Sequence, residues 1–311
     1  MTPTKKMHTV NIPENFARTI AALYGEAGRA WLARLPSLVT EYAQQWSLTV
    51  LAPFEPLAYN YVAPAVRADG TDVVVKVGYP NPELCTEIEA LRCYDGHGIV
   101  QLLEGSREHG VLLLERLKPG TPLSKERDER RATSIAVDVM QQLWRPAPDT
   151  QAFPSVAQWA QGLRRLRDRF EGSTGPFPAP LVDVAERLFT ELLTSMGRPV
   201  LLHGDLHHGN ILAAERQPWL ALDPKGVLGE PAYEVGALLR NPRPGLLAES
   251  QPGQALARRV DQLADELACD RARIVGWGLA QAVLSAWWSF EDHGYGWEWG
   301  IACAELLAQL R

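Results

Sequence analysis

The chain has 311 residues, of which 46% are hydrophobic, and it carries a formal net charge of −6 with a sequence pI of about 5.7. This composition indicates a globular protein of one large domain or two lobes. The acidic balance disfavours nucleic acid as the main partner, because phosphate binding needs a basic surface, and it suits a cationic small molecule. No stretch reaches the apolar length of a membrane span, so no membrane partner is expected.

The N-terminal stretch and the cysteines bear on the compartment. Lys5 and Lys6 are not followed by an apolar segment, so no signal peptide is predicted. The four cysteines form no C-x-x-C pair; they are Cys85, Cys93, Cys269 and Cys303. This sparse pattern is typical of reduced, mostly buried thiols. We therefore expect a cytoplasmic protein. We also expect it to be a monomer or a weak homodimer.

The first third of the chain is predicted to form helices, three strands, one helix and two strands. Between Phe16 and Trp46, apolar residues recur at steps of three and four, which indicates helix. Strand-like runs follow, and Asp69-Gly70 is a turn signal between the second and the third.

A helix and a linker complete this third of the chain. The helix has Asn81 as its cap and Pro82 at its first position, and it is predicted to end near Asp95. Two more strands follow, and "KPGTPL", Lys118 to Leu123, is then the best candidate for a linker.

Beyond the linker the chain is predicted to be mainly helical. Ser155 with Gln158 forms a capping box for one helix. Strand character returns only in residues 199–223. This order predicts an α+β fold. Residues 1–117 form a small lobe with a mixed, antiparallel five-stranded sheet, and residues 118–311 form a larger, mainly helical lobe.

The segment "LLHGDLHHGNIL" concentrates polar chemistry. His203-Gly204-Asp205, followed after four residues by Asn210, has the spacing H-x-D-x-x-x-x-N of a phosphoryl-transfer loop. In this interpretation Asp205 accepts the proton of an incoming hydroxyl group, and Asn210 turns its oxygen towards Mg²⁺ on the phosphates of ATP. Asp223, at the end of the apolar run "LAL", is placed to hold magnesium as well.

A transition-metal site is the alternative interpretation of the same loop. Its ligands would be His203, Asp205, His207 and Asp223. Histidine and carboxylate ligands are usual in such sites, which would indicate a metal-dependent hydrolase. A third interpretation makes the histidines hydrogen-bonded supports of the loop. It suits His208 and His203, whereas His207 fits either role.

Two residues of the first lobe favour phosphoryl transfer. Lys76 lies in "VVVKVG", where a buried lysine needs a partner, and Glu87 follows eleven residues later in the predicted helix. A strand lysine paired with a helix glutamate positions ATP in protein-kinase-like folds. Taken singly, Lys76 fits an edge strand and Glu87 a solvated helix face, and Glu89 is a second candidate for the pairing.

A hinge and a phosphate-covering loop would complete a nucleotide site. The Glu115 carbonyl and the Leu117 amide are the hinge groups that would bind adenine, although an edge strand entering a loop has the same pattern. The segment "EPLAYNY" between the first two strands contains no glycine, so backbone contacts to phosphate would come from Ala58 to Asn60.

The segment "WWSFEDHGYGWEWG" supplies candidates for binding the acceptor. Glu291, Asp292 and Glu298 suit the amino or guanidino groups of a cationic sugar, with Trp288 or Trp297 as a stacking surface. The alternative interpretation is a tryptophan-rich packing edge between two helices.

Several stretches between about residue 48 and residue 293 point to one family. They are "TDVVVKVGYP", "EIEALRCYDGHGIVQLL", "GVLLLERLKPGTPL", "VLLHGDLHHGNIL", "ALDPKGVLGEPAYEVGALLRNP" and "SAWWSFEDHG". Together they resemble the aminoglycoside phosphotransferases, and within them the branch of streptomycin 6-phosphotransferases and hydroxyurea phosphotransferases.

This resemblance implies a protein-kinase-like fold with ATP bound between two lobes, and ATP and Mg²⁺ as cofactors. It implies that Asp205 is the catalytic base and that Asn210 and Asp223 bind magnesium. It also implies that Lys76 and Glu87 position ATP.

The resemblance places two further residues. Lys225 in "DPKG" is a second catalytic cation near the transferring phosphate. Glu234 stands where the family usually has an aspartate in P-x-x-D, and we group it with the substrate-binding residues.

The expected reaction is transfer of the γ-phosphate of ATP to a hydroxyl group of a small molecule, with an aminoglycoside of the streptomycin type as the acceptor. Hydroxyurea or another small metabolite is the alternative within this class. A metal-dependent hydrolase or a non-catalytic nucleotide-binding protein is the alternative outside it.

Overall fold

The structure is a computed structural model that describes residues 10–243 and 245–311. The prediction about a signal peptide, which rests on Lys5 and Lys6, lies outside the described residues. The chain divides into two compact units. The N-terminal unit runs to Gly96 and includes Val100–Leu117, and the C-terminal unit comprises His97–Ile99 and Lys118–Arg311.

The N-terminal unit is built on one sheet. Its elements in chain order are α1 (Glu14–Gln45), β1 (Leu48–Val50), β2 (Asn60–Arg67), β3 (Asp72–Gly78), α2 (Pro82–Tyr94), β4 (Leu102–Ser106) and β5 (Val111–Glu115). The strand order is β1-β2-β3-β5-β4, and every pairing is antiparallel. The predicted succession of elements is therefore confirmed, but the sheet is wholly antiparallel rather than mixed.

Helix α1 covers one face of this sheet. It is broken at Gly25, whose φ of 58° and ψ of −129° lie outside the helical region. Phe16 and Leu35, on either side of the break, are buried in one core with Ala63 of β2 and Val75 of β3. Burying a large apolar side chain contributes about 1.5–3 kcal/mol. The apolar periodicity of α1 is therefore the signature of its packing on the sheet.

Helix α2 begins and ends at the residues that its sequence predicts. The Asn81 side chain accepts a hydrogen bond from the Leu84 N–H at 2.8 Å, and Pro82 occupies the first position. The helix ends at Asp95, which adopts the left-handed conformation with φ 48°. These two ends fix the rotation of α2 and so the direction in which its side chains point.

The C-terminal unit is mainly helical. Its elements are β6 (Pro119–Pro122), α3 (Glu129–Leu143), β7 (Arg145–Pro146), α4 (Val156–Arg169), α5 (Ala179–Thr194), β8 (Val200–Leu202), β9 (Ile211–Ala214), β10 (Trp219–Ala221), β11 (Val227–Gly229), α6 (Val235–Leu239), α7 (Gly245–Ala248), α8 (Pro252–Glu266), α9 (Arg271–His293) and α10 (Glu298–Ala308). The strands form two three-stranded sheets, β10-β9-β6 and β11-β8-β7. Helix α9 is buried on all sides from Ile274 to Trp287, as expected for a helix that is apolar all round.

The two small sheets hold the polar loops in place. One loop connects β8 to β9, and the second connects β10 to β11. Each polar loop therefore joins one small sheet to the other.

The predicted capping box is present at the start of α4, with Ser155 and Gln158 bonded to each other reciprocally.

Three sequence predictions need correction. The boundary between the two units does fall at the start of "KPGTPL", but the segment is not only a linker, because residues 119–122 form β6 and pair with β9. Strand structure in this unit extends beyond residues 199–223 to β6, β7 and β11, which are too short to show a period. All four cysteines are free thiols, but only Cys303 is buried and the other three are half-buried.

In the part of the chain that the structure describes, no helix is both long and apolar enough to span a membrane.

Candidate active site

In the N-terminal unit, Lys76 and Glu87 form a buried ion pair. The Lys76 Nζ lies 2.6 Å from the Glu87 Oε1, and the two side chains are 4% and 9% exposed. Lys76 lies on β3, the middle strand of the sheet, so the edge-strand interpretation is wrong. Glu89, the second candidate, points elsewhere and pairs with Arg92 and Arg107 at 2.6 and 3.3 Å. The pair holds one ammonium group at a fixed position on the central strand.

The predicted hinge residues lie at the end of the same unit. The Glu115 N–H donates to the Gln101 carbonyl at 3.0 Å, and its carboxylate accepts the Gln101 N–H at 3.0 Å. Leu117 is the last residue of the unit. Their roles in adenine binding stay predictions.

In the C-terminal unit, Glu234 holds the loop between β8 and β9. Its carboxylate accepts the backbone N–H groups of His203 at 2.7 Å and Gly204 at 2.8 Å. Glu234 is 1% exposed, and this burial raises its pKa to about 7 although both hydrogen bonds act in the opposite direction. The grouping of Glu234 with the substrate-binding residues is therefore wrong, because its carboxylate is buried and occupied by the loop backbone.

His203 joins this loop to the neighbouring one. Its Nε2 donates to the Leu222 carbonyl at 2.9 Å, and its Nδ1 accepts the Asp205 N–H at 3.2 Å. Complete burial lowers the pKa of His203 to about 4, so the ring is neutral at pH 7. Both ring nitrogens are used inside the protein, which supports the interpretation of His203 as a support of the loop and not as a metal ligand.

Asp205 is fixed through its main chain. Its carbonyl accepts the Asn210 Nδ2 at 3.0 Å, while its N–H is held by His203. The His207 Nε2 lies 3.9 Å from the Asp205 Oδ2, and the His207 Nδ1 accepts the Gly209 N–H at 3.0 Å. Burial, followed by the nearby positive charges of Arg240 and Arg243, lowers the pKa of His207. A neutral imidazole therefore lies beside the Asp205 carboxylate.

Gly204 allows this arrangement. Its φ is +87°, and a Cβ added there would lie 2.8 Å from the Trp159 ring and 3.2 Å from the Lys225 Cβ. A side chain at this position would be strained and would also collide with its neighbours. The glycine lets the loop pass between Trp159 and Lys225.

The loop between β10 and β11 is tied to the first. The Leu222 N–H donates to the Asn210 carbonyl at 2.9 Å, and the Lys225 N–H donates to the His203 carbonyl at 2.7 Å. Asp223 lies between them with a left-handed φ of 59°, a conformation that aspartate and asparagine adopt more readily than other non-glycine residues. Asp205, Asn210 and Asp223 are thus carried by two loops that are bonded to each other.

The histidines do not form a transition-metal centre. Among the described residues, no group of three or more histidine, cysteine, aspartate and glutamate side chains could hold a metal ion. His208 is 3% exposed, and its Nδ1 has no hydrogen-bond partner among the described residues. The Nδ1 of His208 therefore gives the loop no hydrogen bond, whereas its carbonyl accepts the Ser124 N–H at 3.1 Å.

Burial of His208 predicts a dependence of stability on pH. Burial lowers the pKa of His208 to about 3, whereas an unfolded imidazole binds a proton below about pH 6.5. As the pH falls below about 6.5, the imidazole of the unfolded state therefore binds a proton, whereas the buried imidazole of the native state stays neutral. The free energy of unfolding decreases as the pH falls from about 6.5 towards the native pKa of about 3. Between about pH 7 and about pH 5.5 the loss is about 1 kcal/mol.

The variant His208→Leu lacks this loss. We expect the difference in unfolding free energy between wild type and variant to shift by about 1 kcal/mol in favour of the variant over the same pH interval. Urea unfolding at the two pH values measures it. His203 and Glu234 titrate alike in both proteins, so their effects cancel. A difference that is independent of pH would contradict a neutral, buried His208.

Comparison with known proteins identifies the family. The family model described as aminoglycoside/hydroxyurea antibiotic resistance kinase matches residues 58–294. The chain belongs to this kinase family. The streptomycin 6-kinase of Streptomyces glaucescens is 34% identical over 294 residues, which cover 91% of this chain and 92% of that protein. The hydroxyurea phosphotransferase of Kitasatospora aureofaciens is 34% identical over 311 aligned residues, which cover 96% and 86%.

Two solved structures share the fold of the kinase. A thermostable mutant of aminoglycoside phosphotransferase APH(4)-Ia, in complex with ADP and hygromycin B, has a TM-score of 0.62 at 12% identity and covers 88% of this chain and 98% of its own. Choline kinase LicA from Streptococcus pneumoniae has a TM-score of 0.63 at 14% identity, with coverage of 89% and 98%. The predicted protein-kinase-like α+β fold is confirmed, and the kinase uses a nucleotide as phosphoryl donor.

The residues predicted to bind the acceptor differ in their surroundings. The Glu291 carboxylate receives two hydrogen bonds from Arg165 of α4, both 2.9 Å long. Glu291 therefore already has a cationic partner at the surface, and its role in binding the acceptor stays a prediction. Asp292 is exposed next to it, and Glu298 is exposed in the first turn of α10. Their roles stay predictions.

Sequence reasoning missed three residues around the loop. Trp159 touches Gly204, and the guanidinium groups of Arg240 and Arg243 act on His207. Arg240 is 6% exposed and donates to Ser285 and Gln281 at 2.9 and 3.2 Å. No local pattern predicts these contacts. Trp159 lies four residues after the cap Ser155, and Arg240 follows the short helix α6, and neither position by itself points to the loop.

Proposed function

We propose that the kinase transfers the γ-phosphoryl group of ATP to a hydroxyl group of an aminoglycoside of the streptomycin type. The observation that carries this proposal is the loop that holds Asp205, which is fixed through its own main chain while its carboxylate remains half-exposed. The identity to a streptomycin 6-kinase over most of both chains supports the acceptor.

Asp205 accepts the proton of the acceptor hydroxyl group. The hydroxyl oxygen forms a bond to the γ-phosphorus as the bond from that phosphorus to the β-phosphate oxygen breaks. ADP and the phosphorylated acceptor are the products. The His207 Nε2 lies 3.9 Å from the Asp205 carboxylate, and burial lowers the pKa of His207, so the imidazole beside Asp205 is neutral at pH 7.

Lys76 and Lys225 supply positive charge to the phosphates of ATP. The Lys76 ammonium group donates to the phosphate oxygens, and Glu87 keeps it in place through the 2.6 Å contact. Lys225 is the second cation, and its backbone is bonded to the His203 carbonyl next to Asp205. Catalysis comes from positioning and charge neutralisation rather than from covalent chemistry.

Asn210 and Asp223 suit Mg²⁺. The Asn210 Nδ2 is used by the Asp205 carbonyl, and no described residue donates to its Oδ1, so a hard oxygen ligand remains. Asp223 adds a carboxylate, and Mg²⁺ typically binds one or two protein oxygens together with substrate phosphates. When bound, the ion neutralises charge on those phosphates.

Asp223→Asn is expected to raise the Mg²⁺ concentration for half-maximal activity about tenfold or more. The change removes one charge, keeps one oxygen ligand, and places a residue that tolerates the left-handed φ of 59°. Initial rates over a Mg²⁺ series measure it, with calorimetric titration of ATP at low and high Mg²⁺ as a second readout. Asp261→Asn, which loses a surface pair with Arg271, is the control. Equal Mg²⁺ dependence in both variants would remove Asp223 from the metal site.

The experiment that tests the function is a panel of acceptors with γ-labelled ATP. Streptomycin, hydroxyurea, hygromycin B and choline are offered separately to the purified kinase. We expect label in streptomycin. Hydroxyurea is the second candidate, because a hydroxyurea phosphotransferase is equally similar to the chain. Transfer to neither would overturn the proposed function.

A further inference from the structure

Trp159 lies against the loop that carries the catalytic base. It is on the first turn of α4, and its ring edge is 2.8 Å from where a Cβ on Gly204 would lie. Gly204 directly precedes Asp205. The indole is half-buried, so one part of it packs on the loop and another part faces solvent.

Trp288 of α9 meets Trp159 at a right angle. The ring centroids are 5.4 Å apart and the planes are inclined by 86°. Trp288 is half-buried as well. The two rings therefore form a corner of aromatic surface beside Gly204, the residue before Asp205. We call this pair of rings the tryptophan corner.

The tryptophan corner is rigidly supported. A Cβ on Gly162 would lie 2.6 Å from Leu284 and 3.3 Å from the Trp288 Nε1, so α4 and α9 pack without a side chain between them. The start of α4 is also bonded to β11, because the Leu228 N–H donates to the Pro154 carbonyl at 2.8 Å. Strand β11 begins at Val227, and only Gly226 separates it from Lys225, so the corner and the reacting loops share one framework.

Recognition at this place can use the ring faces themselves. The acidic side chain one turn beyond Trp288, Glu291, is paired with Arg165 at 2.9 Å. Two adjoining indole rings offer a contiguous apolar surface with N–H groups at its edge, and exposed apolar patches with a polar rim mark ligand-binding sites. The apolar C–H face of a saturated ring covers indole well, and positive charges on such a ring are attracted to the indole face.

We infer that Trp159 and Trp288 form the acceptor-binding surface of the kinase, which takes the face of a saturated, cationic ring and presents its hydroxyl group to Asp205. This inference rests on the proposed function and deepens it. It selects Trp288 over Trp297, whose ring packs against Phe177 at 5.0 Å. It also distinguishes the acceptors: a ring-bearing acceptor depends on the corner, whereas hydroxyurea has no ring to place on it.

The test compares steady-state kinetics of Trp288→Leu, Trp159→Phe and Phe290→Leu with wild type. The side chains nearest to Gly204 are those of Trp159, Val227 and Lys225, so replacement of Trp288 should leave the catalytic loop intact. We expect Trp288→Leu to raise the KM for streptomycin on the order of tenfold, with a smaller rise for Trp159→Phe, which keeps an aromatic ring. The KM for ATP, measured in the same assays, separates a loss of acceptor binding from damage to the nucleotide site.

Phe290→Leu is the matched control. It removes an aromatic ring two residues further along α9 that packs on Phe170 and Phe177, at 5.7 and 5.5 Å. We expect no change in the KM for streptomycin. If wild type phosphorylates streptomycin and Trp288→Leu keeps its KM, or loses only kcat, the inference is overturned and the proposed function stands. If wild type phosphorylates no ring-bearing acceptor, the inference is overturned, and the proposed function is overturned with it only if hydroxyurea is not phosphorylated either.

Discussion

Replacement of Asp205 by Asn is expected to lower kcat about 10²–10⁴-fold, the usual contribution of a general base. The amide cannot take the proton of the acceptor hydroxyl group. The loop should stay intact, because Asp205 is held by its N–H and its carbonyl, and Asn keeps both bonds. Nucleotide affinity should persist, since other residues are proposed to hold the phosphates.

Two measurements separate these effects. Coupled detection of ADP with the confirmed acceptor gives kcat, and calorimetric titration with ATP and Mg²⁺ gives nucleotide affinity. Asp183→Asn, which removes the same charge from a surface pair with Arg167, is the control and should retain full activity. Near-normal turnover of Asp205→Asn would remove Asp205 from its role as base. Loss of ATP binding together with turnover would indicate a structural role instead.

Glu87→Ala is expected to destabilise the N-terminal unit by about 3–5 kcal/mol. The change removes the carboxylate that lies 2.6 Å from an ammonium group with only 4% exposure. The matched control is Glu89→Ala on the same helix. Glu89 pairs with Arg92 and Arg107 at the surface, with 22% exposure, so its loss should cost less than about 1 kcal/mol. Urea unfolding followed by circular dichroism measures both.

A double variant tests why the pair is present. Lys76→Met with Glu87→Leu replaces two buried charges by apolar groups of similar volume, which is often neutral or stabilising. We expect this variant to recover most of the stability lost in Glu87→Ala and to lose affinity for ATP. Equal destabilisation by Glu87→Ala and Glu89→Ala would contradict the burial of the pair. Full ATP affinity in the double variant would contradict the proposed role of Lys76.

Local signals account for the elements that sequence reasoning predicted well. The Asn81 cap with Pro82 and the Ser155–Gln158 capping box each need only neighbouring residues. The apolar runs and the turn and cap residues between them were enough to predict the five strands and the helix α2 of the first unit. Strands β6, β7 and β11 were missed because two to four residues show no period, and they form only where a partner strand is already in place.

The sequence by itself determined which residue types occupy the polar loop, and their spacing indicated phosphoryl transfer. Only the tertiary structure decided what each of them touches. It directed Glu87 rather than Glu89 to Lys76, because the rotation of α2 over the sheet selects one helix face. It buried Glu234 under the loop backbone, paired Glu291 with Arg165 and brought Trp159 to Gly204. These contacts join residues far apart in the chain, and their geometry depends on how whole helices pack, which no short stretch of sequence encodes.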